Sequence, residues 1–366
     1  MISMLRRWLS IPRRLEGLQS DLGTVAGEVA RSGVDMTHAI SLLASELKGL
    51  QRDLSGMAGA MNGLLQGQGA LLPGMSEHFS RNFLPNDHGA LQKTLMELWA
   101  LRDLPVLNWQ GLQASGFRVF SQNDEDGVLL RLFSHIGCTN RRVVEIGSNC
   151  SGSDLGIPEN LSCNLIIHHG WHGSIVEMDA LECSRIRHFF ARDYATKHFH
   201  FADDRGGGYL SPLVLNRMVT PGNINHILAE ACGEDEPDLL VLDIDGGDFE
   251  VASAVSVRPR VFVVEFERRF RDRHAVVQKD RNDFGVAWPQ SGSTSLPAWE
   301  ILMAERGYVL CTMASSAFNA VFVRNDVAAG KLLPTTSSEL FQAHPIYSRV
   351  NEEFWISPDE TWSSVV

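Results

Sequence analysis

The sequence has no apolar run of about 18 residues, which excludes a membrane-spanning helix of ordinary length. Its start, MISMLRRWLSIPRRL, lacks the continuous apolar stretch and cleavage site of a secretory signal. The six cysteines (138, 150, 163, 183, 232 and 311) contain no C-x-x-C pair, so the spacing supports neither a zinc site nor a disulfide framework. Reduced thiols in a cytoplasmic protein fit that pattern better. Basic residues are in deficit, 32 Lys and Arg against 44 Asp and Glu, for a net charge of −12. General nucleic-acid binding requires the opposite balance. Also missing are the dinucleotide fingerprint G-x-G-x-x-G and the Gly-Lys-Ser/Thr of a phosphate-binding loop.

What is present is a chain of 366 residues, 44% hydrophobic and 21% charged, the balance of a soluble globular protein. Residues 1–14 are basic and amphipathic, with four arginines around Leu5, Trp8 and Leu9. They read either as a solvated terminus or as a peripheral contact with the inner face of an anionic membrane. Residues 15–65 carry apolar side chains at alternating steps of three and four: Leu15, Leu18, Leu22, Val25 and Val29, then Ile40, Leu43, Leu47, Leu50, Leu54, Met57, Met61 and Leu64. Two apolar positions per heptad make a narrow seam, which predicts a helical coiled coil joining copies of the chain. A helical hairpin folded back on its own domain is the competing arrangement, and eight glycines weaken either rod. Residues 66–90 read as a Gly- and Pro-containing linker, 91–330 as the main domain and 331–366 as a C-terminal extension.

The main domain alternates helical and strand signals. LQKTLMELWALRDL predicts an amphipathic helix. FSQNDEDGVLLRLFSHIG predicts a second helix capped by Ser121 or Asn123, with Asp124, Glu125 and Asp126 in its first turn. Strands follow at RRVVEIG, GWHGSIVE, KHFHFADD, DLLVLD, RVFVVEFE, YVLCTM and AFNAVFVRND. The order describes an α/β, doubly wound seven-stranded sheet closing in an antiparallel pair. Ligands of such sheets bind beyond the carboxyl ends of the strands. Successive ends here are acidic: Glu145, then Glu177 or Asp179, then Asp203 and Asp204, then Asp243, Asp245 and Asp248. A carboxylate at the second end suits ribose hydroxyls, and one at the third suits an adenine amino group. Taken singly, each acid is also an ordinary helix cap. His168, His169 and His172 lie near these ends in sequence, and structural roles suit them better than that of a base. The loop 270–297, with Trp288, is long enough for a substrate lid.

Residues 118–328 resemble the FkbM-type S-adenosylmethionine-dependent methyltransferases. The resemblance runs through Ser121-Gln122-Asn123-Asp124-Glu125-Asp126-Gly127, Val144-Glu145-Ile146-Gly147, Asn160 with Gly170-Trp171-His172-Gly173, and Asp243-Ile244-Asp245-Gly246-Gly247-Asp248. PRVFVVEFE and SSAFNAVFVRND extend it, while the first loop, GSNCSGSDLGIPENLSCN, is longer than usual. The resemblance implies a class I methyltransferase (Rossmann-like) fold with S-adenosyl-L-methionine held by Gln122, Glu145, Gly147, Ser148, Glu177, Asp179, Asp203, Asp204 and Asp243. It points to a sugar hydroxyl of a bacterial surface polysaccharide or glycolipid as acceptor. A small secondary metabolite or peptide is the alternative, as is a non-catalytic scaffold on a degenerate domain. An unactivated hydroxyl requires a base or a metal ion. Asp245, Asp243 and Glu265 are the candidate catalytic acids, and Asp245, Asp248 and Glu265 the candidate ligands for Mg²⁺.

Overall fold

The computed structural model describes residues 87–101, 105–150, 157–191, 211–279 and 294–366. The chain divides into Met1–Met75 and Ser76–Val366, and everything described belongs to the second unit. The basic N-terminus, the heptad rod, Asp203, Asp204 and Trp288 lie outside the described residues.

Three helices come first: α1 (Asp87–Leu101), α2 (Trp109–Gln113) and α3 (Glu125–Ile136). Thus α1 starts inside the stretch read as a linker. β1 (Arg142–Ile146), α4 (Cys163–His169), β2 (His172–Glu177) and α5 (Ala180–Ala191) follow. β3 (Leu213–Asn216), α6 (Ile224–Cys232), β4 (Leu239–Leu242), α7 (Asp248–Ala254), β5 (Val261–Glu265) and a short β6 (Val276–Gln278) come next. The chain ends with α8 (Leu296–Glu305), β7 (Tyr308–Met313), β8 (Asn319–Arg324), α9 (Asn325–Ala328), α10 (Ser337–Ala343) and β9 (Trp362–Ser364).

Seven strands form one sheet in the order β3-β2-β1-β4-β5-β8-β7, and β6 pairs with β9 apart from it. β3 through β5 are mutually parallel, while β8 runs antiparallel to both β5 and β7. This is the doubly wound seven-stranded sheet closing in an antiparallel pair that the sequence predicts. The sheet is buried on both faces, which is why its strands read as near-continuous apolar runs. Alternate residues serve two cores. Val143, Leu239, Val241, Val261 and Val263 pack under α3, α4 and α5, whereas Val144, Ile146, Leu240, Leu242, Phe262 and Val264 pack under α6, α7 and α8.

Beside β2 the sheet has a strand that the sequence did not announce, the four-residue LVLN of β3, which ends in Asn216-Arg217-Met218 rather than in acids. KHFHFADD, expected as the third strand, lies outside the described residues. Nor is the 270–297 stretch all loop: 276–278 pair with 362–364, and Ser295 caps α8 by accepting the Ala298 N–H. Residues 331–366 share the domain's core through Leu340, Phe341 and Tyr347. Among the described residues, no helix is long and apolar enough to cross a membrane.

Candidate functional site

Strand register assembles the site. Ile146 pairs with Val176 on one side and Leu242 on the other, and Leu242 pairs with Val264. One residue further, Gly147, Glu177, Asp243 and Glu265 fall in a row across the carboxyl edge. Asn216 continues the row beside Glu177, and Asn319 beside Glu265. The cleft above this row has a volume of about 520 Å³, within the range of small-molecule sites.

Gly147 makes the row possible. Its φ is +83°, and a Cβ there would lie 1.5 Å from the Asp243 carbonyl oxygen. Only glycine lets β1 turn this close to β4. The turn is tied down by Gly147 N–H to Val176 O and Asp243 N–H to Ile146 O, both 2.9 Å.

The acids divide into those that face the cleft and those that build it. Glu177 lines the cleft and accepts N–H bonds from Ser148 (3.2 Å) and Asp179 (2.7 Å). Asp179 instead accepts the N–H groups of Leu181 and Glu182, capping α5, and does not line the cleft. Glu145 reaches the cleft's edge, but its two oxygens are bound by the Leu161 and Ser162 N–H groups at 2.8 and 2.9 Å, which fixes the lead-in to α4. Burial pushes its carboxyl up to about 7 despite those bonds.

The segment DIDGGD wraps around its own last acid. Asp245, Gly246 and Gly247 all have positive φ, +54°, +142° and +78°. Asp248 is buried and accepts the Ile244 N–H (2.9 Å) and the Gly246 N–H (3.0 Å), clamping that left-handed path. Asp248, expected as a metal ligand with Asp245 and Glu265, bonds backbone instead and lies outside both the acid cluster and the cleft lining, where Asp243 takes its place. The acids brought together are Asp243, Asp245 and Glu265, each with an oxygen within 4.8 Å of the others. Asp243, at the cleft floor, is held well above the usual carboxylate range, first by burial and then by Asp248, Asp245 and Glu145.

The SQNDEDG block supplies a wall. Asp124, not Ser121 or Asn123, stands at the α3 N-cap position. Asp126 carries the local architecture: one of its oxygens accepts the N–H groups of Val119, Phe120 and Ser121 at 2.7, 2.7 and 2.8 Å, and the Ser121 hydroxyl. Burial raises its carboxyl to about 6. This hairpin presents Gln122 to the cleft. Ser148 also lines the cleft, and its hydroxyl accepts from Asn160, whose carbonyl caps Cys163.

None of the three histidines lines the cleft. His168 is buried beside Phe120, His169 bonds Gln92, and His172 opens β2 at the opposite end of the strand. Sequence reasoning missed Arg217, Met218 and Val219, which line the cleft past β3, and Phe318 at its other end. The strand before Arg217 is four residues long, too short for its periodicity to stand out.

No protein-family model and no curated protein matches the chain. Among solved structures it is similar to the N-terminal domain of EvdMO1 with SAH bound, at 10% identity and a TM-score of 0.35, covering 63% of this chain and 95% of that one. It is also similar to a SAM-dependent methyltransferase from Methanosarcina mazei, at 9% identity and a TM-score of 0.27, covering 50% and 92%. Neither likeness bears on function, which the cleft itself has to carry.

Proposed function

We propose that the protein is an S-adenosylmethionine-dependent O-methyltransferase acting on a hydroxyl of a glycan or related small molecule. The observation that supports this most is the row Glu177, Gly147, Asp243, Glu265 at the carboxyl edge of a sheet with the class I order, beneath an open cleft. The site residues fit the donor. Glu177 offers a carboxylate suited to two ribose hydroxyls, and the Gly147 turn brings backbone close without a side chain in the way. The donor supplies an activated methyl group on a positively charged sulfur. Asp243 answers that charge from the floor, and Gln122 and Ser148 border the same space.

Transfer then depends on alignment and on removing the acceptor proton. Asp245 is the exposed acid of the cluster and serves as base, held in its left-handed conformation by the Asp248 clamp. The Asp243, Asp245 and Glu265 oxygens also suit a hard cation such as Mg²⁺, which would lower the hydroxyl pKa instead.

The test is labelled methyl transfer to a glycan panel by wild type and Asp245→Asn. Loss of turnover by about 10²- to 10⁴-fold with S-adenosylhomocysteine affinity retained supports the assignment. EDTA sensitivity reversed by Mg²⁺ selects the cation, and EDTA resistance selects the base. An Asp245→Asn enzyme with full turnover refutes both.

A further inference from the structure

The segment after β5, FERRFRDRH, carries four arginines shortly past Glu265; none of them lines the cleft itself, and Arg268 adjoins it through Phe318. Three have acid partners: Arg269 with Glu267 (2.8 Å), Arg271 with Asp272 (3.3 Å) and Arg273 with Glu352 (2.9 Å). Arg268 has none among the described residues. Its guanidinium carbon lies 3.8 Å from the centre of the Phe318 ring, and Phe318 is a wall of the cleft. Its other neighbour is the Tyr347 phenol, whose pKa its charge pulls down against the upward push of burial. Its Nε is buried without a hydrogen-bond partner.

The close contacts of this half-buried guanidinium are a ring face and a phenol, and among the described residues it forms no ion pair. Withdrawing a cation from water without a counter-charge is unfavourable, and a fork of N–H donors is shaped for carboxylate or phosphate. Among the described residues no ion pair joins Arg268 to the site's acids, and Asp243 lies at the other side of Glu265 in the row. The position is also asymmetric. Phe318 adjoins Asn319 and Glu265, at the acceptor end, and not Glu177, at the donor end.

We propose that Arg268, presented on Phe318, recognises an anionic group of the methyl acceptor. The acceptor class is then a hydroxyl compound that also carries a carboxylate or a phosphate, such as a uronic acid or a sugar phosphate. This inference rests on the methyltransferase reading and narrows it.

The experiment compares wild type, Arg268→Gln and Arg268→Lys with labelled donor on matched hexosides, their uronates and their 6-phosphates. The uronate and phosphate arms separate the two anion types. Calorimetry with S-adenosylhomocysteine is run on all three proteins. Absence of that binding in wild type overturns the methyltransferase reading itself. With it present, the proposal requires a preference of about tenfold or more in kcat/KM for anionic over neutral acceptors. In Arg268→Gln that preference is lost mainly through KM, and in Arg268→Lys part of it returns. Equal or better use of neutral acceptors, no turnover of any anionic acceptor, or an unchanged KM in Arg268→Gln each overturns the Arg268 assignment alone.

Discussion

Replacing Gly147 by alanine tests whether the cleft is built on a backbone contact that no side chain can share. The new Cβ would start 1.5 Å from the Asp243 carbonyl oxygen, where real contacts do not fall below 3.0 Å. The ends of β1 and β4 would have to part by about that difference, loosening Gly147 N–H to Val176 O and Asp243 N–H to Ile146 O. Each such bond is worth about 0.5–1.5 kcal/mol net. A left-handed alanine adds about 1–2 kcal/mol. The expected loss is thus about 2–5 kcal/mol in urea unfolding, a large share of a typical domain's stability. The shift also moves Asp243 and Ser148 relative to Glu177, so S-adenosylhomocysteine affinity falls in whatever fraction remains folded. An alanine variant within about 1 kcal/mol of wild type, with unchanged affinity, would refute the close approach and the role given to it.

Three further predictions concern charge and assembly. Because Asp243 holds its proton well above the usual carboxylate range, binding a cationic donor displaces that proton. Affinity for S-adenosylmethionine therefore falls as pH drops, by up to about tenfold per pH unit, while that for uncharged-sulfur S-adenosylhomocysteine changes much less. Calorimetry across pH 6 to 9, in roughly matched buffers, checks this, and parallel profiles for the two ligands contradict it. Glu145 is raised from 4.5 to about 7 by burial, so its contribution to stability is fully present below about 4.5 and lost as pH rises through about 7. The loss is about 3 kcal/mol at roughly 1.4 kcal/mol per pH unit. Wild type should lose ground to Glu145→Gln over that window in urea midpoints, and a constant gap refutes the assignment. Finally, deleting residues 1–66 should reduce the oligomer seen by light scattering without altering S-adenosylhomocysteine affinity, since seam and cleft belong to different units. An unchanged assembly contradicts the coiled-coil reading.

The sheet was legible because its strands are buried on both faces. VVEI, LLVL and VFVV are short apolar runs that end abruptly in polar loops, and that contrast survives without any tertiary information. Glu177, Asp243, Asp245 and Glu265, which line the cleft, stood out for the same reason, as acids at such ends do. What the sequence did not distinguish is an acid that lines the cleft from one that only holds backbone. Asp179 and Asp248 look like site residues beside Glu177 and Asp245, yet Asp179 accepts N–H groups of the turn after it and Asp248 those of the turn before it, and neither lines the cleft. Local side-chain-to-backbone bonding depends on loop path, and apolar patterning does not encode it. Asp126 is the same case: its partners are residues 119 to 121, reached only because the chain doubles back before α3. LVLN escaped notice because it is short, while the acids of KHFHFADD drew the reading to residues outside the described ones. Arg268 drew no notice among four arginines, since only their partners set it apart.

The central claim is that the carboxyl edge of this sheet, read across Glu177, Gly147 and Asp243, is the donor site. Titrating S-adenosylhomocysteine into wild type and Glu177→Gln by calorimetry tests it most directly. The account predicts saturable one-to-one binding to wild type, weakened about 10- to 100-fold when the carboxylate that faces the ribose is neutralised. No binding to wild type at millimolar ligand, or equal affinity for the two proteins, would contradict it.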